Sequence, residues 1–326
     1  HIAGGIEPAA SIGGMFMPPI MGAGGFIMAE LTGVPYSQIM LIAIFPALMY
    51  FFSVFMMVHF EAKKHNIVGE KSDRNAMEIF KAEWFYITPL VVITIFMLNG
   101  YSPGYSAILG LIACLVVSWL RKETRIGPTR FVEAARQGAL SSLQIGATLG
   151  VIGIIIGVLT YSGLILTFAD IVIEAADGKL WLTILFVALA SLVLGMGVPV
   201  TAAYLITAVV AVPALTHLGV NLIAAHMIVY WLSQDSNITP PVCIAAFAGA
   251  TIAKANMWKT AFTAFKFAKF LYLAPFLFGY VPAFSLDGSA ADIGVAFALI
   301  IIGTFLYSWL LSGIWLKSFR KSETAA

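Results

Sequence analysis

The sequence predicts an all-α polytopic membrane protein built from inverted repeats, with re-entrant hairpins and a discontinuous helix. Of its 326 residues, 60% are apolar and only 10% are charged. A membrane-spanning helix needs about 20 consecutive apolar residues. This length is available in five stretches without Asp, Glu, Lys or Arg, which are residues 31–60, 84–120, 137–169, 180–234 and 293–316. The composition excludes a soluble domain, and no nucleic-acid partner is expected.

Two Pro-Pro pairs, Pro18-Pro19 and Pro240-Pro241, interrupt apolar sequence. In hydrocarbon every peptide N–H and C=O needs a partner within the protein, so non-helical backbone persists only where protein buries it or where it lines a cavity. We therefore expect each pair to form the tip of a re-entrant hairpin. Broken elements at matched positions in two halves of a chain are typical of the substrate and ion site of a secondary transporter.

The two pairs belong to an internal repeat. Pro240 lies 222 positions after Pro18, and the same shift places Ser233 on Ser11. Apolar sequences also match by chance at many offsets, which is the alternative for the aligned alanines and phenylalanines. The coincidence of two Pro-Pro pairs favours a true repeat.

The placement of charge predicts the orientation in the membrane. Basic residues cluster in four segments, which are 63–81, 121–136, 254–269 and 317–321. Lys and Arg near spans remain on the cytoplasmic side, so these segments are expected in the cytoplasm. The connections that alternate with them, and that then lie outside, are 99–104, 170–179 and 287–292. Only Lys179 departs from the pattern. With this alternation, the first hairpin is open to the outside and the second is open to the cytoplasm.

This inverted arrangement requires residues 180–217 to cross the membrane once. At 1.5 Å per residue, an unbroken helix of that length would exceed a hydrocarbon core of about 30 Å. The run Gly195-Met196-Gly197-Val198-Pro199 supplies an interruption, since glycine permits close backbone approach and proline cannot continue a helix. We predict a discontinuous helix with Thr201 just beyond the break. The alternative is a kink that only accommodates tilt.

The densest polar segment within the apolar sequence is Ser233-Gln234-Asp235-Ser236-Asn237-Ile238-Thr239. Polar groups at membrane depth are costly and typically functional. Oxygen atoms of Ser236, Asn237 and Thr239 suit a hard cation such as Na⁺. Asp235 could bind a cation, carry a proton or cap a helix, and the sequence leaves these roles open. Glu7, near the first pair, has the same ambiguity.

Five runs carry specific motifs: Glu7-Pro-Ala-Ala-Ser-Ile-Gly-Gly, Met17-Pro-Pro-Ile-Met-Gly-Ala, Phe26-Ile-Met-Ala-Glu30, Gly195-Met-Gly-Val-Pro-Val-Thr-Ala-Ala-Tyr204 and Asp235-Ser-Asn-Ile-Thr-Pro-Pro-Val-Cys-Ile-Ala. They resemble the large membrane subunit of tripartite ATP-independent periplasmic (TRAP) transporters. The similarity is closest to the fused permeases that work with TAXI-type binding proteins, and it extends over essentially the whole chain.

The resemblance implies an elevator-type permease of the ion-transporter superfamily in the bacterial inner membrane. The implied partners are a periplasmic TAXI-type solute-binding protein and a small membrane-subunit portion, fused upstream or separate. Import of a dicarboxylate-like organic acid would be driven by a Na⁺ or H⁺ gradient, without a cofactor or catalytic residues. The positions that match the family's substrate and ion site are Ser11, Gly13, Gly14, Pro18, Pro19, Gly195, Gly197, Thr201, Asp235, Ser236, Asn237, Thr239, Pro240 and Pro241.

The expected organisation follows the chain. Residues 1–60 hold the first hairpin and its following span, 61–83 a cytoplasmic loop, 84–170 scaffold spans, 180–284 the second repeat, 290–316 the last span and 317–326 a cytoplasmic tail. The family pattern begins upstream of the first hairpin. The resemblance therefore implies that the chain is the C-terminal part of a larger protein and does not transport alone.

Two other functions are considered. A membrane-embedded enzyme would need a convergent catalytic motif, and the sequence has no GxSxG, HExxH or paired intramembrane Asp motif. The nearest metal-like cluster is His59, Glu61 and His65, at a span end beside a basic loop. The other alternative is an ion-coupled carboxylate symporter that needs no binding protein.

Overall fold

The computed structural model describes residues 1–69 and 75–315. Lys71, Arg74 and the tail 317–326, which are expected in the cytoplasm, lie outside the described residues. Within those ranges the chain forms fifteen α-helices, four short 3₁₀ turns and no strand. The helices are α1 Ile2–Ser11, α2 Gly22–Thr32, α3 Tyr36–His65, α4 Ala76–Glu83, α5 Thr88–Leu98, α6 Pro103–Ser118, α7 Pro128–Tyr161, α8 Leu164–Ala175, α9 Leu180–Leu194, α10 Val200–His217, α11 Leu222–Leu232, α12 Ile244–Ile252, α13 Met257–Phe267, α14 Phe270–Tyr280 and α15 Ala290–Ser312.

Local polar residues determine where several of these apolar helices begin. The Ser102 hydroxyl accepts a hydrogen bond from the backbone N–H of Tyr105 at the start of α6. Ser289 does the same for Asp292 at the start of α15. A serine in this position satisfies an N–H group that has no partner within the helix. The capped helices can therefore start within or beside hydrocarbon without exposing unpaired backbone.

The described residues contain six helical segments that are long and apolar enough to span a bilayer. They are Tyr36–His65, Met77–Leu98, Pro128–Tyr161, Val200–His217, Met257–Tyr280 and Ala290–Ser312. A further candidate is the pair Thr167–Ala175 and Leu180–Leu194, which is bent by 120°. These features confirm the predicted class of an all-α polytopic membrane protein.

The helices on either side of each Pro-Pro pair do not pack together as hairpins in the described part of the chain. Helix α1 packs on α12 and α13, whereas α2 packs on α3, α10 and α11. In the second repeat, α11 packs on α10 and α14, whereas α12 packs on α13 and α1. The predicted hairpins at Pro18-Pro19 and Pro240-Pro241 are therefore corrected, because each pair interrupts a discontinuous helix.

The predicted discontinuous helix at Gly195–Pro199 is also corrected, because the chain reverses there. Helices α9 and α10 pack against each other. Val187 and Leu194 of α9 line the same apolar cavity as Ile206 and Ala211 of α10. If α10 continued in the direction of α9, Val187 and Ala211 would be roughly 35 Å apart at 1.5 Å per residue. Residues 180–217 thus form a helical hairpin.

The 222-position shift also relates the helices of the two halves. Helices α1 and α2 correspond to α11 and α12, and the long helix α3 corresponds to α13 and α14, which are separated at Ala268. Helix α1 packs on α12, and α2 packs on α11. The first half of each discontinuous helix therefore lies beside the second half of the other. This is the packing expected of two antiparallel, inverted units.

Helices α1 and α12 meet backbone to backbone. A methyl group added to Gly4 would lie 2.9 Å from the carbonyl oxygen of Gly249, and one added to Gly249 would overlap the carbonyl oxygen of Gly4. Only residues without a side chain allow this approach. The inner surface between the two repeats is consequently formed by main chain at this crossing.

Polar contacts join α3 to the second repeat and to the last span. Glu61 is 7% exposed, and its carboxylate lies 3.2 Å from Nζ of Lys266 and 3.1 Å from Nε2 of His65. Lys64 donates to the carbonyl oxygen of Ser312 over 3.2 Å. No group of three or more His, Cys, Asp or Glu residues is arranged to hold a metal ion in the ranges 1–69 and 75–315. Glu61 and His65 of the metal-like cluster thus belong to a polar network with Lys266.

Lys179, the exception to the charge pattern, forms a salt bridge of 2.8 Å with Asp177. The outward location of the connection 170–179 stays a prediction.

Candidate substrate and ion site

The first break, residues 12–21, separates α1 from α2 and begins with a 3₁₀ turn. At the end of α1, the Ser11 hydroxyl donates to the Glu7 carboxylate over 2.6 Å. Gly13 is buried, and a methyl group there would lie 2.7 Å from the ring of Phe51. Gly14 is exposed and has open space beside it. The first break is therefore closely packed on one side and accessible on the other.

Two tyrosines hold the carbonyl groups of the first break. Tyr36, from the same repeat, donates to the carbonyl oxygen of Pro19 over 2.8 Å. Tyr230, from α11 of the other repeat, donates to the carbonyl oxygen of Met15 over 2.7 Å and also contacts that of Met21. These carbonyl groups belong to non-helical backbone, so the tyrosine hydroxyls supply hydrogen bonds that a continuous helix would otherwise provide.

The second break, residues 233–243, separates α11 from α12. Gln234, Asp235 and Ser236 are buried. Among the described residues, neither amide atom of Gln234 nor Oδ1 of Asp235 has a hydrogen-bond partner. Buried polar atoms are normally paired, and an unpaired group costs about 1–3 kcal/mol. This concentration of unpaired atoms distinguishes the second break from the first and marks it as a candidate binding region.

The three predicted Na⁺ ligands have different neighbours. Ser236 packs against Gly195 at the end of α9, where a methyl group on the glycine would lie 2.7 Å from the serine Oγ. Asn237 lines the cavity described below. Thr239 shares a short hydrogen bond with the hydroxyl of Tyr272. The structure therefore places the three in one segment without directing their side chains at one point.

Carboxylate, amide and hydroxyl oxygens are the ligand types that hard cations take. Within the described residues, the Ser191 hydroxyl is also buried without a partner. Ser191 lies one turn before Gly195, and α9 packs on the 3₁₀ turn Asp235–Asn237. Unpaired oxygen atoms of Ser191, Gln234 and Asp235 thus come from two packed elements.

A cavity of about 390 Å³ lies where α1, α12, the second break and the first turn of α10 meet. Its lining consists of Glu7, Pro8, Ser11, Ile12, Met15, Val200, Gln234, Asn237, Ala245, Ala248, Gly249 and Ile252. Residues of both repeats and of the hairpin 180–217 line this cavity. No lysine, arginine or histidine belongs to this lining within the described ranges. The cavity combines apolar surface with a few polar groups, as is typical of small-molecule sites.

Of the predicted site residues, Ser11 and Asn237 line this cavity. The other predicted positions lie in the breaks and around the hairpin tip, outside the lining: Gly13, Gly14, Pro18, Pro19, Gly195, Gly197, Thr201, Asp235, Ser236, Thr239, Pro240 and Pro241. Both Pro-Pro peptide bonds are cis, and Gly197 has a φ of 76° at the hairpin tip.

Sequence reasoning did not select several lining residues. Val200, Ala245 and Ala248 are apolar and look like ordinary helix residues. One signal was available: Glu7 and Ser11 are four positions apart, which places them on one face of a helix that ends at the first break. The same spacing relates Ala245 to Gly249 after the second break. A search for helix faces that border the breaks would have identified these positions.

The fold and the site define a class of protein: polytopic α-helical membrane proteins in which two discontinuous helices and a helical hairpin meet at a partly polar cavity. Residues 1–284 match the model of a family described as the tripartite ATP-independent periplasmic transporter, DctM component. The chain belongs to this family. No curated protein matches it.

Family membership identifies the chain as a TRAP transporter permease. It implies a multi-pass protein of the bacterial inner membrane that works with a periplasmic solute-binding protein and a small membrane subunit. The family is a transporter component, which gives no support to the alternative of a membrane-embedded enzyme.

Proposed function

We propose that this permease imports an organic acid that a TAXI-type binding protein delivers, driven by a Na⁺ or H⁺ gradient, and that its C-terminus is cytoplasmic. The observation that carries the proposal is the cavity shared by the two repeats and the hairpin, beside a second break with unpaired buried oxygens. A site formed by non-helical backbone at membrane depth is the arrangement by which secondary transporters bind solute and ion together.

The cavity can bind a carboxylate without a cationic side chain. Val200 and Ala245 lie in the first turns of α10 and α12 and line the cavity. The first N–H groups of a helix have no partner within it, and they carry partial positive charge. Such groups bind carboxylates and phosphates in many proteins. The side-chain amide of Asn237 adds a neutral donor, which suits an organic acid, including a dicarboxylate.

The coupling ion binds, in this proposal, at the second break and uses Ser236, Asn237 and Thr239 together with the unpaired oxygen atoms of Gln234 and Asp235. The hairpin approaches this region because Gly195 has no side chain. A cation there would attract oxygen atoms of both the break and the hairpin. Ion binding would therefore favour closure of the hairpin over the cavity and link the ion to the solute.

The packing of the helices into two groups supports an elevator movement. Helices α1–α3 and α9–α14 share contacts around the two breaks, whereas α5 and α6 pack mainly on each other. In this proposal the first group moves with the cavity, and α5–α7 belong to the stationary scaffold.

Reconstitution of the complete transporter in proteoliposomes tests the proposal. The permease, with its small subunit and its binding protein, should accumulate a labelled organic acid when an inward Na⁺ or pH gradient is imposed. Accumulation without the binding protein would favour the independent symporter instead. Absence of uptake and of counterflow under both gradients, with a panel of mono- and dicarboxylates, would contradict the proposal.

A further inference from the structure

We propose that Tyr230 is a positioning residue that keeps the first break in the conformation that lines the cavity. The inference rests on the proposed function, because it concerns the same cavity. Tyr230 belongs to α11 of the second repeat, yet its hydroxyl bonds the carbonyl oxygens of Met15, at the end of the 3₁₀ turn, and of Met21, the last residue of the break. Met15 itself lines the cavity.

The Met15 carbonyl lies outside both helices and depends on a side-chain partner, and the Met21 carbonyl marks where α2 begins. The break ends its 3₁₀ turn at Met15, and α2 starts only at Gly22. Met21 is 1% exposed, so water does not reach its surroundings. At membrane depth an unpaired carbonyl is costly. Both oxygen atoms accept from the single hydroxyl of Tyr230. The hydroxyl therefore holds Met15 and Met21 close together.

The start of α2 is shaped to accept the tyrosine ring. A methyl group on Gly24 would lie 2.5 Å from Cε2 of Tyr230, and one on Gly22 would lie 3.7 Å from its hydroxyl. Gly22 also has a φ of 64°, which favours glycine. Any larger residue at position 24 would push the ring away from the break.

The ring is held from its other side by the hairpin. Tyr204 of α10 meets the Tyr230 ring edge to face, with the ring centroids 5.4 Å apart. The Tyr204 hydroxyl bonds Nδ1 of His226 over 2.8 Å, and within the described ranges it makes no hydrogen bond to the first break. Tyr230 thus joins the hairpin, α11 and the first break. Gln234, one turn further along from Tyr230, lines the same cavity.

Two matched variants separate positioning from general packing. Tyr230→Phe removes the hydroxyl that bonds the break, and Tyr204→Phe removes an equally buried hydroxyl that does not. The reporter is Met21→Cys in the complete transporter, with the exposed Cys114 replaced by Ser and the buried Cys243 retained. The measurement is the rate of labelling by a hydrophilic maleimide in detergent, alongside the melting temperature.

We expect Tyr230→Phe to increase the labelling rate at least fivefold, and Tyr204→Phe to leave it within twofold of the parent. Tyr230→Phe should also raise the substrate concentration for half-maximal uptake. Equal labelling rates in the two tyrosine variants, or an unchanged rate in Tyr230→Phe, would overturn the proposal. Labelling does not require transport, so this result is independent of whether the proposed substrate is taken up.

A second pair covers the case in which Tyr230→Phe does not fold. Gly24→Ala places a methyl group against the Tyr230 ring, whereas Gly294→Ala adds one in open space on α15. Gly24→Ala should increase Met21→Cys labelling, and Gly294→Ala should not. If Met21→Cys is labelled as slowly in Gly24→Ala as in the parent, the position of the Tyr230 ring does not hold the break and the proposal fails.

Discussion

Phe16 of the first break stacks on Trp231 at the end of α11, with the ring centroids 4.0 Å apart and the planes inclined by 11°. Each ring belongs to a different repeat, and both are buried. Tyr50 of α3 meets both rings edge to face. The first break is thus joined to α11 of the second repeat through one aromatic cluster, which also includes the ring of Tyr230.

We expect the stacked pair to be energetically coupled. Phe16→Leu and Trp231→Leu should each lower the free energy of unfolding, and the double variant should lose less than the sum of the single losses. Stacked aromatic pairs contribute about 1 kcal/mol beyond buried area. Reversible unfolding in mixed micelles measures this coupling. Phe297→Leu, on α15, should combine additively with Phe16→Leu, and strict additivity of the stacked pair would refute the coupling.

The hairpin at Gly195–Pro199 makes a topological prediction. Lys179 and His217 should lie on the same side of the membrane, because α9 enters and α10 returns. Lys259, beyond the second discontinuous helix, should lie on the opposite side. Single cysteines introduced at these three positions, labelled with a membrane-impermeant maleimide before and after permeabilisation, give the answer. If the cysteines of His217→Cys and Lys259→Cys react from the same side, residues 180–217 cross the membrane and the hairpin assignment fails.

Asn237 provides the test of the ion site. Loss of one oxygen ligand costs on the order of 1–3 kcal/mol. In the complete transporter, Asn237→Ala should therefore raise the coupling-ion concentration for half-maximal uptake about tenfold or more. Asn99→Ala, at the exposed end of α5, should leave it unchanged. An unaltered ion dependence in Asn237→Ala would place the ion elsewhere.

A second prediction for the ion site concerns the carboxylate of Asp235, which is buried at the start of the 3₁₀ turn Asp235–Asn237. We expect Asp235→Asn to reduce gradient-driven uptake about tenfold or more, because the amide keeps the shape and removes the charge. Asp177→Asn, at an exposed site, should transport normally. Near-normal coupling in Asp235→Asn would leave the carboxylate with a structural role.

The ion pair between Glu61 and Lys266 should stabilise the contact of α3 with α13. Glu61→Gln leaves Lys266 without its charge partner, and we expect a loss on the order of 1–2 kcal/mol, discounted because Lys266 is partly exposed. The double variant with Lys266→Met should recover part of the loss. Glu133→Gln, which breaks the exposed pair with Arg136 on α7, should not change the melting temperature. Thermal unfolding in detergent compares the three.

Sequence reasoning located the interruptions because their chemistry is local. Proline removes a backbone donor and glycine permits close approach, so Pro18-Pro19, Gly195–Pro199 and Pro240-Pro241 stand out in apolar sequence. Whether the chain reverses at an interruption depends on distant packing. The chain could form a hairpin first and then cross the membrane, or it could cross first and then form a hairpin. Both orders leave the charged segments on the same sides of the membrane. The charge pattern therefore could not distinguish the two arrangements.

The cavity was less accessible to sequence reasoning than the interruptions. Asn237 and Ser11 were selected because polar residues are rare at membrane depth. Val200 and Ala245 contribute backbone and small surfaces, and nothing in their side chains indicates this. Tyr230 also escaped notice, because a tyrosine in an apolar helix is ordinary until the other repeat places two carbonyl groups beside it.

The crossing of Gly4 and Gly249 limits how the two repeats can rearrange. Side-chain interfaces can adapt by changing rotamers, and they can slide by exchanging one contact for another. A crossing of bare main chains has neither freedom, because its spacing is set by covalent geometry and van der Waals radii. The crossing parts of α1 and α12 therefore either separate completely or travel together. In the proposed elevator movement, a solute held beside them would be carried together with these walls.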